Sequence, residues 1–337
     1  MYTSVFAAEI PDIIRELTDT QEMQRLSDIG MHCGCEYTSV PLYAGSRRQY
    51  SRLTHSIGVA MIVWNFTHDA IQATAGMLHD IATPVFAHTI DFMNGDHMTQ
   101  ESTEVRTHAH IAESCRILHI LQQYHIDIDD VSDYHKYPIA DNDTPMLSAD
   151  RLEYTLGNGF CVHNMPLAEI EEIYYGLAVL INEQGCAELG FISISSALKF
   201  AALSMRNSLF YVSNEDRYLM QHLADIIRKA IDSGVLSEND LYTTESDVIT
   251  KLTANDELSS AWRGYRDITS VTASENKLPD RLCRKVFAKK RYIDPLVKTG
   301  DTAKRISEVD GNVKAEIDAF LALNFDCWLY EGLNPAI

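Results

Sequence analysis

Histidine is unevenly spread through this chain. Eleven of its thirteen copies fall between His32 and His135, less than a third of the 337 residues. The neutral imidazole nitrogen is a good ligand for transition metals at neutral pH. Histidines concentrated on apolar helical segments, with acids among them, therefore predict a metal site that uses five of them or fewer. The others belong to the surface or the core. The seven cysteines do not point to a metal. They are scattered, and Cys33 and Cys35 make a single C-x-C with no second pair, so reduced thiols in a cytoplasmic protein are expected.

Within the cluster, adjacent His79 and Asp80 follow an apolar run in AGMLHDIATPVFAH. Such a pair belongs at the inner end of a buried helix, where a carboxylate is costly unless paired or bound to a metal. A second dipeptide, His68-Asp69, is read as incidental. Arg52 and His55 upstream form R-x-x-H, and Ser148 to Arg151 downstream read SADR. Together these make the order H…HD…D, which is specific where its members taken singly are not. A buried salt-bridge network is the competing reading.

In this order and spacing the sequence resembles the HD-domain metal-dependent phosphohydrolases, and most nearly the branch of deoxynucleoside triphosphate triphosphohydrolases. The likeness runs over roughly residues 22–220, through MQRLSDIG (22–29), YSRLTHSIGVA (50–60), AGMLHDIATPVFAHTID (75–91), THAHIAES (107–114) and SADRLEYTLGN (148–158). It implies an HD-domain helical bundle and a phosphohydrolase acting on nucleotides, in which metal-bound water attacks phosphorus. His55, His79, Asp80 and Asp150 match the family's four metal ligands. Two imidazoles and two carboxylates suit Mn, Fe, Co, Ni or Zn, with Mg as a further option, and leave positions open for water and phosphate. His88 and Asp91 match a His–Asp pair beside the scissile phosphate. Residues i and i+3 share a helix face, so Asp91 can orient His88 as general acid or base. His110 matches another active-site histidine, against the plainer reading of a solvent-facing residue near a helix start.

Arg52 lies one turn before His55 and can face the same site. Arg206 and Arg217 match residues that grip the phosphate chain, a task suited to the planar guanidinium fork; surface salt bridges are the plainer reading of both. Tyr154, one turn after Asp150, matches a tyrosine near the sugar, with helix packing as its ordinary alternative. The branch also implies a homo-oligomer. Four positions depart from the pattern: Thr83 replaces a second histidine after the His–Asp pair, Met31 a glutamine and Asn158 an aspartate that read the sugar, and Asn214 a tyrosine below it. A nucleoside monophosphatase, a cyclic-nucleotide phosphodiesterase and a non-catalytic metal-containing nucleotide-binding protein therefore stay open beside the triphosphohydrolase.

The elements that must carry these residues are mostly helical. Nine prolines and sixteen glycines leave long uninterrupted stretches, with no proline between Pro166 and Pro279. Periodicity predicts helices over 53–66 (apolar on nearly all sides, hence buried), 71–81, 109–121, 169–182, 193–205 and 214–233, the last closed by Gly234. Residues 35–44 read as a short hairpin or extended loop around Pro41. Residues 94–106 read as a polar surface loop and 127–143 as an acidic, turn-rich stretch. The expected division is a helical domain over 1–254, with its core motifs in 50–160, and an α+β portion over 255–337 in which RYIDPLV is a strand ended by Pro295. The run 281–291 holds six basic residues in eleven. It reads first as a solvated face, with a nucleotide, an RNA or an acidic neighbouring subunit as other partners.

Composition sets outer limits. With 46% hydrophobic residues, the chain can bury a sizeable core in one large or two modest domains. No run of 18 apolar residues exists, and acids early in the sequence argue against a secretory signal. A net charge of −20 argues against bulk-charge binding to nucleic acid or anionic membrane. It leaves room for an anionic small molecule in a local cationic pocket.

Overall fold

The computed structural model describes residues 2–7, 9–44, 50–95 and 106–332. Short helices α1 (Asp12–Thr18) and α2 (Gln21–Arg25) lead to the central pair α3 (Arg52–Thr67) and α4 (Ala70–Leu78). Ten of the sixteen residues of α3 are buried, as its all-round apolar sequence requires. The α3–α4 junction explains the incidental His–Asp pair. His68 takes the left-handed conformation that ends α3, and the Asp69 carboxylate accepts from the Ile71 and Gln72 amides to start α4.

Next come α5 (Thr89–Asn94), α6 (Thr107–Glu113), α7 (Cys115–Gln123), α8 (Ile128–Val131), α9 (Ala149–Cys161) and α10 (Leu167–Tyr175). The helix expected over 109–121 is thus two. Ser114 ends α6 and caps α7, its hydroxyl accepting from the Ile117 amide. The helix expected over 169–182 stops at Tyr175. Residues Leu177–Ile181 form strand β1, paired antiparallel with β2 (Ala187–Phe191). Alanine, valine, leucine and isoleucine fit either state, and the hydrogen-bonding partner ten residues on decides it.

The long helices α11 (Ile194–Tyr211) and α12 (Asn214–Asp232) follow, then α13 (Glu245–Thr253) and α14 (Asp256–Asp267). Gly234, at φ +72°, follows α12 as expected. The last stretch holds β3 (Val271–Ser274), β4 (Leu296–Thr299), β5 (Thr302–Arg305), α15 (Ile306–Val309), α16 (Gly311–Leu321) and β6 (Trp328–Glu331). The protein is mostly α-helical with a small sheet region towards the C-terminal end. One sheet has the order β1-β2-β4-β5, with β2 and β4 parallel, and β3 pairs with β6. The sheet thus joins strands from both sides of residue 254. Pro295 precedes β4 rather than ending a strand: it has no N–H to give a ladder, and β4 begins at the next residue. Residues 35–44 form two 3-10 turns, Cys35–Tyr37 and Pro41–Tyr43, instead of a hairpin. Most of the 94–106 segment lies outside the described residues.

Two apolar cores result. One gathers α1, α3, α4, α9, α10 and α11; the other gathers α12, α14, β3, β6 and the turns at 33–43 and 85–92. Among the described residues, no helix is long and apolar enough to cross a membrane.

Candidate metal centre and its cavity

Three helix ends converge between the two cores. Ser51 caps α3 and sets Arg52 and His55 in its first turn. His79 and Asp80 stand at the end of α4. Ser148 caps α9 and places Asp150 in that helix's first turn. His55, His79 and Asp80 form a buried cluster whose ligand atoms lie within 4.8 Å of one another. The His55 Nε2 is 2.9 Å from Asp150 Oδ1 and 3.9 Å from Asp80 Oδ2. The His79 Nε2 is 3.6 Å from Asp80 Oδ2 and 3.8 Å from Asp150 Oδ1. Ligands about 2.1 Å from a shared cation stand roughly 3.0–3.4 Å apart at octahedral or tetrahedral angles, close to this spacing.

The donor chemistry passes the same test. His79 Nδ1 donates to the Gly76 carbonyl at 2.7 Å, and His55 Nδ1 donates to the Glu153 carboxylate. Both rings are thereby oriented through Nδ1, leaving Nε2 lone pairs to meet the carboxylates, an arrangement that a divalent cation at the centre satisfies. Glu153 is fully buried, and it also accepts from the Tyr50 hydroxyl at 2.8 Å. Gly58 makes room for it: a Cβ there would sit 2.6 Å from Glu153 Cγ. Tyr134 stacks on His79 with ring centroids 4.8 Å apart.

Electrostatics hold the carboxylates ionised. Burial opposes charge on Asp80, but Arg52 at 2.9 Å, the two histidines and the Thr83 hydroxyl at 2.7 Å outweigh it and keep its pKa well below the carboxylate range. Thr83, where the resemblance leads one to expect histidine, thus serves as a donor to a cluster carboxylate. Burial likewise opposes charge on Asp150, and the His55 hydrogen bond lowers its pKa nonetheless. Burial also disfavours a charged His55, but Glu153 and Asp150 raise its pKa to about 10.

His55 of the cluster and Asp150 line a cavity of about 180 Å³. Of the candidate site residues named from the sequence, Arg52, His55, His88, Asp150, Tyr154 and Arg217 line it, as do Met31 and Asn158, two of the departures. His88 Nδ1 is 2.9 Å from Asp91 Oδ2, and Asp91 is fully buried, so the expected pairing is present and His88 Nε2 is left for the cavity. The backbone before it is bent: Phe86 and Ala87 have φ of +58° and +43°. Glu245, from α13, holds that turn by accepting from the Phe86 amide, and it also accepts from the Gly30 amide.

Three expected site residues are placed differently. His110 lies on α6, its Nδ1 directed to the Arg106 carbonyl and its ring against Tyr242, and it does not line the cavity. Arg206 is exposed on α11, because its position on the helix turns it away from the face that carries Asn207 and Phe210 inward. Arg217 reaches the cavity wall, yet its guanidinium is engaged by the Val212, Ser213 and Val286 carbonyls and the Asn214 side chain. Asn158, another departure, bridges His32 (2.9 Å) and the Tyr211 hydroxyl (2.6 Å).

No protein-family model matches the chain. It is 26% identical over 316 residues to the uncharacterized protein YdhJ of Bacillus subtilis, covering 90% of each. It is 25% identical over 169 residues to the metal-dependent phosphohydrolase cns2 of Cordyceps militaris, covering 49% of this chain and 46% of that protein. Two solved structures share its fold. A hypothetical protein from Aquifex aeolicus superposes with TM-score 0.64 at 17% identity, over 96% of this chain and 93% of the other. A phosphohydrolase from Bacteroides thetaiotaomicron VPI-5482 does so with TM-score 0.66 at 16% identity, over 96% and 97%. The chain therefore shares the fold of these two structures, and within it lies a buried His/His/Asp cluster able to coordinate a divalent metal ion.

Several residues of the site escape a reading by motif. Glu153 had a usable signal, since it lies three residues after Asp150 on the same helix face. Arg25 had none: its guanidinium donates to the Ile81, Thr83 and Thr243 carbonyls and so clamps the turn after Asp80. Asp216 faces the cavity from α12 and accepts from the Tyr43 hydroxyl at 2.8 Å. Burial raises its pKa to about 7. Lys289 and Arg291 of the basic run also line the cavity.

Proposed function

We propose that this protein is a metal-dependent phosphohydrolase of the HD-domain type that acts on nucleotides, with a deoxynucleoside triphosphate as the first substrate class. The observation that carries the reading is the convergence of His55, His79, Asp80 and Asp150, two of which, His55 and Asp150, line a cavity also lined by His88 and Arg52. The likeness to cns2, a metal-dependent phosphohydrolase, supports it.

In this reading the two imidazoles and two carboxylates hold one divalent cation. Such an ion, when bound, acidifies water and polarises a phosphoryl oxygen. The chain's own residues do the rest. Arg52 is buried beside the cluster with one of its Nη atoms given to Asp80, so it favours a phosphate there through its positive charge rather than through a free donor. His88, oriented through Nδ1 by Asp91, moves a proton at Nε2. Tyr154 and Tyr211, packed edge to face at 6.1 Å centroid separation, give the sugar or base an aromatic wall.

The test is a hydrolysis screen with deoxynucleoside and ribonucleoside mono-, di- and triphosphates and cyclic nucleotides, each with Mn, Fe, Co, Ni or Mg, and products resolved by chromatography. Inorganic triphosphate plus nucleoside is expected, with metal and turnover both lost in Asp80→Ala. Orthophosphate or an opened cyclic ester would move the assignment to a monophosphatase or phosphodiesterase. A metal-loaded protein without turnover on any of them would overturn the enzymatic reading.

A further inference from the structure

Residues 285–295 have no regular structure and cross the cavity as a strap. The strap is pinned at both ends. Arg284 exchanges backbone hydrogen bonds with Leu329, and the Val286 carbonyl accepts from Arg217. At the far end the Asp294 amide donates to the Pro145 carbonyl at 2.9 Å, and the Asp294 carboxylate accepts from Ser307. Val286 and Ile293 are buried at the two anchors. Between them, Phe287, Ala288, Lys289 and Arg291 face the cavity.

The strap supplies what the cavity otherwise lacks. Arg52 is tied to Asp80, and the Arg217 guanidinium is engaged by carbonyls. Arg291 is half-buried and has no hydrogen bond or ion pair among the described residues, in a chain with 48 acidic residues. A partly desolvated guanidinium without a carboxylate, in so acidic a protein, is placed for an anion that arrives from outside. Its location is fixed by its neighbours. Burial raises the pKa of Tyr154 to about 12, and the Arg291 charge acts against that rise; it acts in the same sense on Tyr211. Tyr154 is one helical turn from Asp150, so Arg291 lines the same cavity as the metal cluster, beside the two tyrosines.

We infer that Arg291 forms a second anion subsite, which binds a phosphate of the substrate other than the one at the metal cluster. This rests on the phosphohydrolase reading and narrows it to substrates with more than one phosphate. The strap, rather than α11 or α12, then selects polyphosphates over monoesters.

Calorimetric titration of inorganic tripolyphosphate and of orthophosphate into the protein tests this, with Mn²⁺ in excess over both so that the polyphosphate does not strip the site. The parent is expected to bind tripolyphosphate more tightly. Arg291→Met should weaken tripolyphosphate by about tenfold or more, in keeping with one charge-assisted guanidinium–phosphate contact, and leave orthophosphate within about twofold. Arg291→Lys should restore part of the loss. Should the methionine variant lose its cooperative melt, Arg291→Gln is read in the same way. Equal weakening of both anions, no weakening of either, or a parent with no preference for tripolyphosphate overturns the inference. Because binding is read rather than turnover, Arg291-dependent binding without hydrolysis sinks the proposed function and leaves the subsite standing. Hydrolysis of nucleotides by a protein with no such split does the reverse.

Discussion

Glu153 offers the most searching test of how the cluster is built. It is fully buried and accepts from both the His55 ring and the Tyr50 hydroxyl. Glu153→Gln keeps its volume and one carbonyl acceptor but removes the charge. That charge acts on two competitors for His55 Nε2, a proton and a metal ion. It favours both, and it favours the dication about twice as strongly at equal distance, because the Coulomb energy scales with charge. The proton therefore offsets only part of the loss, and metal affinity should fall about 10–100-fold, the usual effect of removing such an outer partner, or roughly 1.4–2.7 kcal/mol. Glu153→Ala should do more. It strands two buried donors at about 1–3 kcal/mol each and so lowers folding stability as well as affinity. Competition with a chromophoric chelator at one pH measures the first effect, and urea unfolding of the metal-free protein measures the second. A glutamine variant that holds Mn²⁺ or Zn²⁺ as tightly as the parent would refute the argument that Glu153 tunes His55.

Three further outcomes follow from particular contacts. Gly58→Ala places a Cβ 2.6 Å from Glu153 Cγ, so it should lower metal affinity in the same direction as Glu153→Gln, together with a stability loss of about 1–3 kcal/mol; an alanine variant with the parent's affinity and melting point would contradict this. Arg305 bonds the fully buried Glu188 and the Glu183 carboxylate. Arg305→Met should leave the buried Glu188 without its counter-ion, held only by the Leu147 amide and the Asn182 side chain, and cost about 3–5 kcal/mol in urea unfolding, a loss that Glu183→Gln, at an exposed partner, should not reproduce. Asp216 has its folded pKa raised by burial to about 7, above an unfolded value of about 3.9. The folded state holds the proton more tightly, so this group's contribution is complete below about pH 4 and is lost as pH rises through 7, on the order of 4 kcal/mol. Asp216→Asn should remove that loss and gain on the parent between pH 4 and 7; parallel stability–pH curves for the two proteins would count against it.

Much of the centre was legible in the chain itself. The helical class, the buried α3 with Arg52 and His55 in its first turn, and the His79-Asp80 pair at a helix end all follow from patterns of a few residues, because a helix end and an apolar face are local properties. The His88–Asp91 bond follows too, being a contact between residues three apart. Where the outcome hung on a distant partner, the sequence was silent or misleading. Residues 177–181 became a strand because β2 lies beside them, and 109–121 broke in two where the Ser114 hydroxyl could cap a new turn. Arg206 and Arg217 carry the right charge, but only packing shows that one turns outward and the other is engaged by carbonyls. His110 has the right type and sits against Tyr242 instead. Conversely, Glu245, Arg25 and Arg291 touch the site from positions far along the chain and belong to no local pattern. A sequence states which groups are available and which neighbours lie within a turn of helix. Which distant group arrives, and whether its donors are still free when it does, is settled only when the two cores close around the cavity between them.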